Sequence, residues 1–154
     1  MSTSNPLACI LDTHRLTGPN YKDWLRNYKI VLGSEKLTHV LDQDPPTLPA
    51  RPSVEQRASL KKWIDEDNKA RCYMLGSMSD ELQCQHEDIE TAHQMLAHLQ
   101  EMFDEQSRAA KYQVTKRLFK AKICDGQSVQ DHYLMMIKNL KELKKLGVKL
   151  NLDL

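Results

Sequence analysis

The first candidates for chemistry in this sequence are the His and Cys side chains near the middle of the chain. Cys84, His86 and His93 lie close together, and so do His93 and His98. A zinc site needs ligand pairs at short regular spacing, or two His residues four apart on one helix face. His93 and His98 are five residues apart and point to different faces. The spacing therefore predicts no metal site, and these His side chains are expected at helix surfaces.

A second candidate is Asp67, which interrupts the apolar side of a predicted helix. A buried carboxylate with a shifted pKa can act as an acid or a base. In the alternative interpretation, Asp67 pairs with a Lys, an Arg or a Trp N–H group and fixes the packing of two helices. No second acid or base accompanies it in a recognisable arrangement, so the structural interpretation is preferred.

Sequence motifs that bind phosphate or activate a nucleophile are absent. The chain has no G-x-x-x-x-G-K-[ST], G-x-G-x-x-G, G-x-S-x-G or H-E-x-x-H pattern, and it has only five glycines. We therefore expect a protein that is not an enzyme, with no catalytic residues, no cofactor, no metal and no small-molecule substrate.

Charged residues are distributed unevenly, although the net charge is only +1. Residues 80–105 contain eight acidic side chains and no Lys or Arg, whereas residues 108–149 contain eleven basic and three acidic ones. Opposed charges of this kind favour contact between segments or between copies of the chain. The preferred interpretation, however, is that both segments are solvated helix faces.

The first part of the basic segment contains candidate RNA contacts. They are Lys111, Lys116, Arg117, Lys120 and Lys122. We count no interleaved aromatic side chains on which bases would stack, and no convincing helix-turn-helix pattern. Specific nucleic-acid recognition is disfavoured, while weak, non-specific and salt-sensitive RNA binding stays open.

The elements that carry these residues have helical periodicity throughout. Apolar positions recur at i, i+3, i+4 and i+7 in residues 20–33, 53–76, 91–103, 107–123 and 128–147. The segment 42–52 contains four of the six prolines and is expected to be a loop. The pattern predicts an all-α, compact bundle of about five main helices with this Pro-rich loop. In residues 107–123 the positions expected to be buried are Tyr112, Val114, Leu118 and Phe119.

The last predicted helix has an apolar stripe with the 3.5-residue period of a helix–helix seam. Its members are Val129, Tyr133, Met136, Leu140 and Leu143. This stripe is the candidate assembly seam between copies. Packing against residues 91–103 and 107–123 of the same chain is the preferred interpretation for most of its members.

The 154 residues are enough to bury a core without disulfides or metals. The cysteines Cys9, Cys72, Cys84 and Cys124 are widely spaced, which is typical of free thiols in a reducing compartment. No apolar run is long enough to span a membrane, and no secretory signal is recognisable. We expect a cytoplasmic protein with a flexible arm at residues 1–15, a helical region at 16–147 and the start of a truncated element at 148–154.

Residues 16–24, LTGPNYKDW, resemble the opening of the Gag region of copia-type LTR retrotransposons. The similarity continues through the helix at 91–103 and ends with the helix that begins near residue 128. The positions that carry it are Leu16, Gly18, Tyr21, Trp24, Trp63, Asp67, Ala70, Leu99, Phe103 and Leu118. One departure is Leu96, where the family usually has a Trp.

The resemblance implies a retrotransposon capsid-like, all-helical protein that self-associates as a homo-oligomer into virus-like particles around element RNA, without membrane binding. The family's zinc knuckle, protease, integrase and reverse transcriptase are not in this sequence. Two other functions stay open. One is an RNA-binding chaperone that uses the basic segment 108–149, and the other is a helical adaptor retained from an element.

Overall fold

A computed structural model describes residues 5–123 and 126–149 of the chain. Within these residues there are seven α-helices and no strand, so the all-α prediction is confirmed. Four of the helices in these residues are longer than ten residues, close to the predicted number of about five. The helices are α1 (Cys9–Thr13), α2 (Tyr21–Ser34), α3 (His39–Asp42), α4 (Val54–Gly76), α5 (Asp80–His86), α6 (Ala92–Lys120) and α7 (Val129–Lys145).

The chain divides into two units, Met1–Gln100 and Glu101–Leu154. Unit 1 contains α1 to α5 and the first turns of α6. Unit 2 contains the rest of α6 and all of α7. None of the described helices combines the length and the apolar composition needed to cross a membrane.

Helix α2 supplies the centre of the core of unit 1. The periodicity predicts a buried face made of Tyr21, Trp24, Leu25, Tyr28, Val31 and Leu32, and all of these except the half-buried Leu25 are buried. The Trp24 and Tyr28 rings stack with centroids 5.1 Å apart. The polar group of each ring is hydrogen-bonded. Trp24 Nε1 donates to Ser77 Oγ at 2.9 Å, and Tyr28 Oη donates to the carbonyl oxygen of Ala70 at 3.0 Å. Burial raises the pKa of Tyr28 well above its ordinary value.

The turn before α2 is built by its polar side chains and by one glycine. Asn20 lies at the helix N-cap, but its side chain makes no capping bond; its Oδ1 accepts the backbone N–H of Thr17 at 3.0 Å. Gly18 has a φ of 131°, a region that side chains other than glycine rarely adopt. Leu16 joins the end of α4, since its N–H donates to Ser77 O at 2.7 Å and its carbonyl accepts from Ser79 N at 2.9 Å.

Helix α4 begins with a capping box, in which Ser53 Oγ accepts from Gln56 N and Gln56 Oε1 accepts from Ser53 N. Its buried face is Trp63, Asp67, Ala70 and Met74. The apolar spacing in residues 53–76 also predicts Ile64 on this face, and that prediction is wrong, because Ile64 is 52% exposed. The four buried residues form a narrow row along α4, and Ile64 lies about 90° around the axis from the middle of that row.

The two helices expected at 91–103 and 107–123 are one helix, α6. The intervening residues 104–106 are Asp, Glu and Gln, and none of these residue types breaks a helix.

Residues 43–52 contain neither helix nor strand. Residues 5–13, assigned to an arm from the sequence, contain a short 3₁₀-helix and α1, with Leu11 only 3% exposed.

Unit 2 buries fewer side chains than unit 1 in the described residues. The buried ones are Phe103, Val114, Asn139 and Leu143. Arg117 on α6 and Glu142 on α7 form an ion pair at 3.1 Å. Ser128 caps α7, because its Oγ accepts the N–H of Gln130 at 3.2 Å. Cys124 and residues 150–154 of the expected terminal element lie outside the described residues.

Candidate functional site

The candidate assembly seam on α7 changes from exposed to buried along its length. Val129 and Tyr133 are 71% and 60% exposed, Met136 and Leu140 are intermediate, and Leu143 is 4% exposed. These positions lie within about 40° of one line along the helix and span about 21 Å. The C-terminal end of the stripe is therefore used in packing, whereas its N-terminal half faces solvent.

Packing within the chain was the preferred interpretation for most of this stripe, and the structure shows it for the C-terminal end. The neighbouring Leu134 is 56% exposed and Met135 is 39% exposed, so the first two turns of α7 are apolar on more than one side. A solvent-facing apolar helix end of this kind is typical of a protein contact surface.

Two aromatic side chains that lie among the candidate RNA contacts on α6 are exposed, contrary to the sequence expectation. Tyr112 and Phe119 were expected to be buried, but they are 64% and 85% exposed. Tyr112 lies about 200° around the helix from the buried Val114. Phe119 is about 140° from Val114, so neither ring reaches the buried face.

The exposed rings alternate with basic side chains along α6. Arg108, Tyr112, Lys116 and Phe119 follow at spacings of four, four and three residues, and all four side chains are exposed. The basic segment therefore has the interleaved aromatic side chains that we did not find in the sequence. Among the other candidate contacts, Lys120 and Lys122 are exposed, Lys111 is half-buried and Arg117 is paired with Glu142.

The uneven charge of the sequence is also present on the surface. All eight acidic residues between 80 and 105 are exposed, and so are ten of the eleven basic residues between 108 and 149. These acidic and basic side chains are therefore available for contact with other molecules.

Asp67 is buried at 5% exposure and accepts the backbone N–H of Ala92 at 3.0 Å. Its partner is thus the first residue of α6 rather than the Lys, Arg or Trp N–H that we expected. Burial raises the pKa of Asp67, while the Ala92 N–H and the charge of Arg71 act in the opposite direction. Trp63 Nε1 is buried and has no hydrogen-bond acceptor among the described residues.

The His side chains are not all at helix surfaces. His86 is 0% exposed, and its Nε2 lies 2.9 Å from Nδ1 of His98. His93 Nδ1 contacts the carbonyl oxygen of Leu41. Within residues 5–123 and 126–149 no group of three or more His, Cys, Asp or Glu side chains is placed to hold a metal ion. The sequence reasoning missed the His86–His98 pair, because a separation of twelve residues across a turn carries no local signal.

Most of the residues that carry the family resemblance lie in the core. Gly18 and Leu118 are half-buried, and the other eight are buried: Leu16, Tyr21, Trp24, Trp63, Asp67, Ala70, Leu99 and Phe103. These positions therefore hold the fold together and do not form a pocket with exposed reactive groups.

Comparison with known proteins identifies the family. No curated protein and no solved structure matches the chain. The sequence profile of the family described as gag-polypeptide of LTR copia-type matches residues 28–154. That range includes α4 to α7 and most of the resemblance, although residues 16–24 lie before it. The chain belongs to the gag-polypeptide family of LTR copia-type retrotransposons.

Proposed function

We propose that this chain is a structural Gag module that self-associates through the exposed N-terminal half of the α7 stripe and performs no catalysis. The observation that carries this proposal is the exposure of Val129 and Tyr133 at the start of a stripe whose other end, Leu143, is buried. Fully covering a large apolar side chain contributes about 1.5–3 kcal/mol, so contact at these positions favours association.

The occupant of this surface is a second copy of the chain. Contact between two α7 helices uses the same residues on both copies and closes a dimer. Contact between the acidic surface of one copy and the basic surface of another uses different residues on each and can continue from copy to copy. A combination of one contact of each kind extends a dimer into a larger shell.

This function belongs in the cytoplasm. Cys9, Cys72 and Cys84 are free and exposed, which suits a reducing compartment where thiols stay unpaired.

In this proposal the buried polar residues Asp67 and Asn139 have structural roles, because buried polar groups commonly specify packing.

Light scattering coupled to size exclusion, across protein concentration and salt, tests the proposal. Val129→Ser with Tyr133→Ser is expected to shift the oligomer equilibrium toward monomer by at least about tenfold, a change that the loss of about 1.4 kcal/mol produces. Val54→Ser is the matched control, since Val54 is also the first residue of a helix and is 80% exposed. A wild-type monomer at every concentration, or equal effects of the two changes, would contradict the proposal.

Binding of single-stranded RNA is the second candidate, and the exposed Tyr112 and Phe119 favour it. Bases stack on aromatic side chains while basic side chains contact phosphates, and each stacked base contributes about 1–3 kcal/mol. Fluorescence anisotropy with a short oligouridine is the test. Tyr112→Ser with Phe119→Ser is expected to weaken binding at least tenfold, whereas Tyr133→Ser is expected to leave it unchanged. Equal binding by the wild type, the double variant and Tyr133→Ser would exclude this surface as the RNA-binding site.

A further inference from the structure

The buried pair formed by His86 and His98 belongs to unit 1 and has no part in the proposed self-association. His86 Nδ1 lies 2.7 Å from the carbonyl oxygen of Leu82. A carbonyl oxygen only accepts hydrogen bonds, so this nitrogen carries a proton. In neutral His86 the other nitrogen, Nε2, is then an acceptor, and His98 Nδ1 donates to it across 2.9 Å.

This arrangement accepts one additional proton but not two. The exposed His98 can take a proton on its Nε2 while its Nδ1 continues to donate to His86. A second proton on His86 Nε2 would place two N–H groups against each other and two positive charges on touching rings. The ring centroids are only 4.8 Å apart, and His86 is fully buried, so the second proton is costly.

The charged groups on the neighbouring helices do not offset this cost. On α4, Asp67 is engaged by Ala92, and Arg71 donates to the carbonyl of Glu87 at 3.3 Å. On α6 the titratable neighbour is His98 itself. Burial lowers the pKa of His86, the Leu82 carbonyl acts against this, and His98 lowers the pKa further.

We propose that the His86–His98 pair is an acid-sensitive latch on residues 80–91, the segment that joins α4 to α6. At neutral pH the pair holds the end of α5 against α6. In acid the second protonation breaks the hydrogen bond and releases the segment, while α2 and α4 stay packed through Trp24 and Tyr28. Release moves five exposed acidic side chains: Asp80, Glu81, Glu87, Asp88 and Glu90.

The direction of the pH effect follows from the protonation states. A group whose folded-state pKa is lowered stabilises the fold fully above its unfolded pKa, which is about 6.5 for His. That stabilisation disappears as the pH falls through the lowered value. The latch is therefore fully closed above about pH 6.5, and it opens progressively as the pH falls from there through the lowered pKa of His86.

Hydrogen exchange measured by mass spectrometry tests the latch. After correction for the intrinsic pH dependence of exchange, amides 83–90 are expected to exchange at least about tenfold faster at pH 5 than at pH 7.5, because their opening free energy falls. Amides of α2 in the same sample are expected to keep their protection. No change in 83–90, or an equal change in α2, would overturn the proposal.

His98→Gln is the informative variant. A Gln amide can donate to neutral His86 and, after turning over, accept from protonated His86, so the contact persists in both states. Because His86 stays buried, the pH dependence of exchange at 83–90 is expected to become smaller in this variant, and to keep its wild-type size in the control His14→Gln, at an exposed position. Imidazole ¹⁵N spectra of the wild-type chain give an independent readout: a proton on Nδ1 of His86 at neutral pH supports the latch, and a proton on Nε2 instead overturns it.

Discussion

Asp67 Oδ1 accepts the backbone N–H of Ala92 at 3.0 Å, so a buried carboxylate on α4 binds the first residue of α6. The first N–H groups of a helix have no partner within the helix, and the N-terminal end of its dipole favours negative charge. Thr91 assists, because its Oγ1 accepts the N–H of Gln94 at 3.2 Å. One side chain thereby fixes where α6 begins and how it meets α4.

Replacing Asp67 tests this role. Asp67→Ala leaves the buried N–H of Ala92 without an acceptor and is expected to cost about 1–3 kcal/mol in the free energy of unfolding. Asp67→Asn keeps an acceptor oxygen and is expected to cost less. Urea denaturation at pH 7 measures both. Equal losses for the two variants would show that the charge matters more than the acceptor.

The pH dependence of Asp67 has a defined sign. Because burial raises its folded-state pKa, Asp67 stabilises the fold most at low pH, and this contribution is lost as the pH rises through the raised value. The wild type should therefore gain stability relative to Asp67→Asn when the pH falls from 7 to 4.5. Parallel unfolding curves at the two pH values test this, and a relative loss would contradict the account.

The hydrogen bond from Trp24 to Ser77 gives a second prediction. Trp24→Ala removes a fully buried ring and is expected to cost about 3–5 kcal/mol. Ser77→Ala keeps the ring but leaves its N–H unpaired, with an expected cost of about 1–3 kcal/mol. Thermal melts measure both, with the exposed Ser59→Ala as control. A melt of Trp24→Ala identical to the wild type would remove Trp24 from the core.

Local pattern was enough to predict much of unit 1. The buried face of α2 follows directly from the spacing of Tyr21, Trp24 and Tyr28, and the α4 cap follows from Ser53 and Gln56. The break expected near residue 105 is wrong, because neither glycine nor proline interrupts α6 there. Whether two adjacent amphipathic stretches join into one helix depends on what their faces contact, and periodicity does not report that.

Truncation of the two phenylalanines of α6 is expected to have very different effects on the free energy of unfolding. Phe103 is 9% exposed and Phe119 is 85% exposed. Phe103→Ala should cost about 3 kcal/mol or more, as core truncations do, whereas Phe119→Ala should stay within about 0.5 kcal/mol. Denaturant unfolding of both variants decides this, and a large loss for Phe119→Ala would show that its ring is packed.

The Glu35–Lys69 pair predicts an acid sensitivity of opposite sign to that of Asp67. Lys69 donates to Glu35, and Tyr73 Oη donates to the same carboxylate at 3.4 Å. The hydrogen bond from Lys69 holds the pKa of Glu35 below its ordinary value, so its stabilisation is present above about pH 4.3 and is lost as the pH falls further. The pair is at the surface, so Glu35→Gln should cost no more than about 1 kcal/mol at pH 6.

The measurement for this pair is the difference in unfolding midpoint between wild type and Glu35→Gln at pH 6 and pH 3.5. The difference should shrink at pH 3.5. A difference that stays constant would mean that the carboxylate charge is not what stabilises the contact.

The candidate surfaces were harder to predict than the core. Tyr112 and Phe119 are aromatic, as core residues often are, but both face solvent, whereas Val114 on another side of α6 is buried. The α7 stripe has a uniform apolar pattern, yet its exposure falls from 71% at Val129 to 4% at Leu143. These differences in exposure depend on which neighbouring residues cover each side chain, and the spacing of apolar residues in the sequence does not reveal those neighbours.

The most direct test of the central claim places a photo-reactive benzoylphenylalanine at position 133 of otherwise wild-type protein. If the exposed half of α7 meets a second copy, irradiation should give a covalent dimer whose cross-linked peptide comes from that copy. The same probe at position 54, which is also exposed and lies at the start of α4, should not. Two results would contradict the account. One is that the protein with the probe at position 133 stays monomeric after irradiation, and the other is that both probe positions give dimers in equal yield.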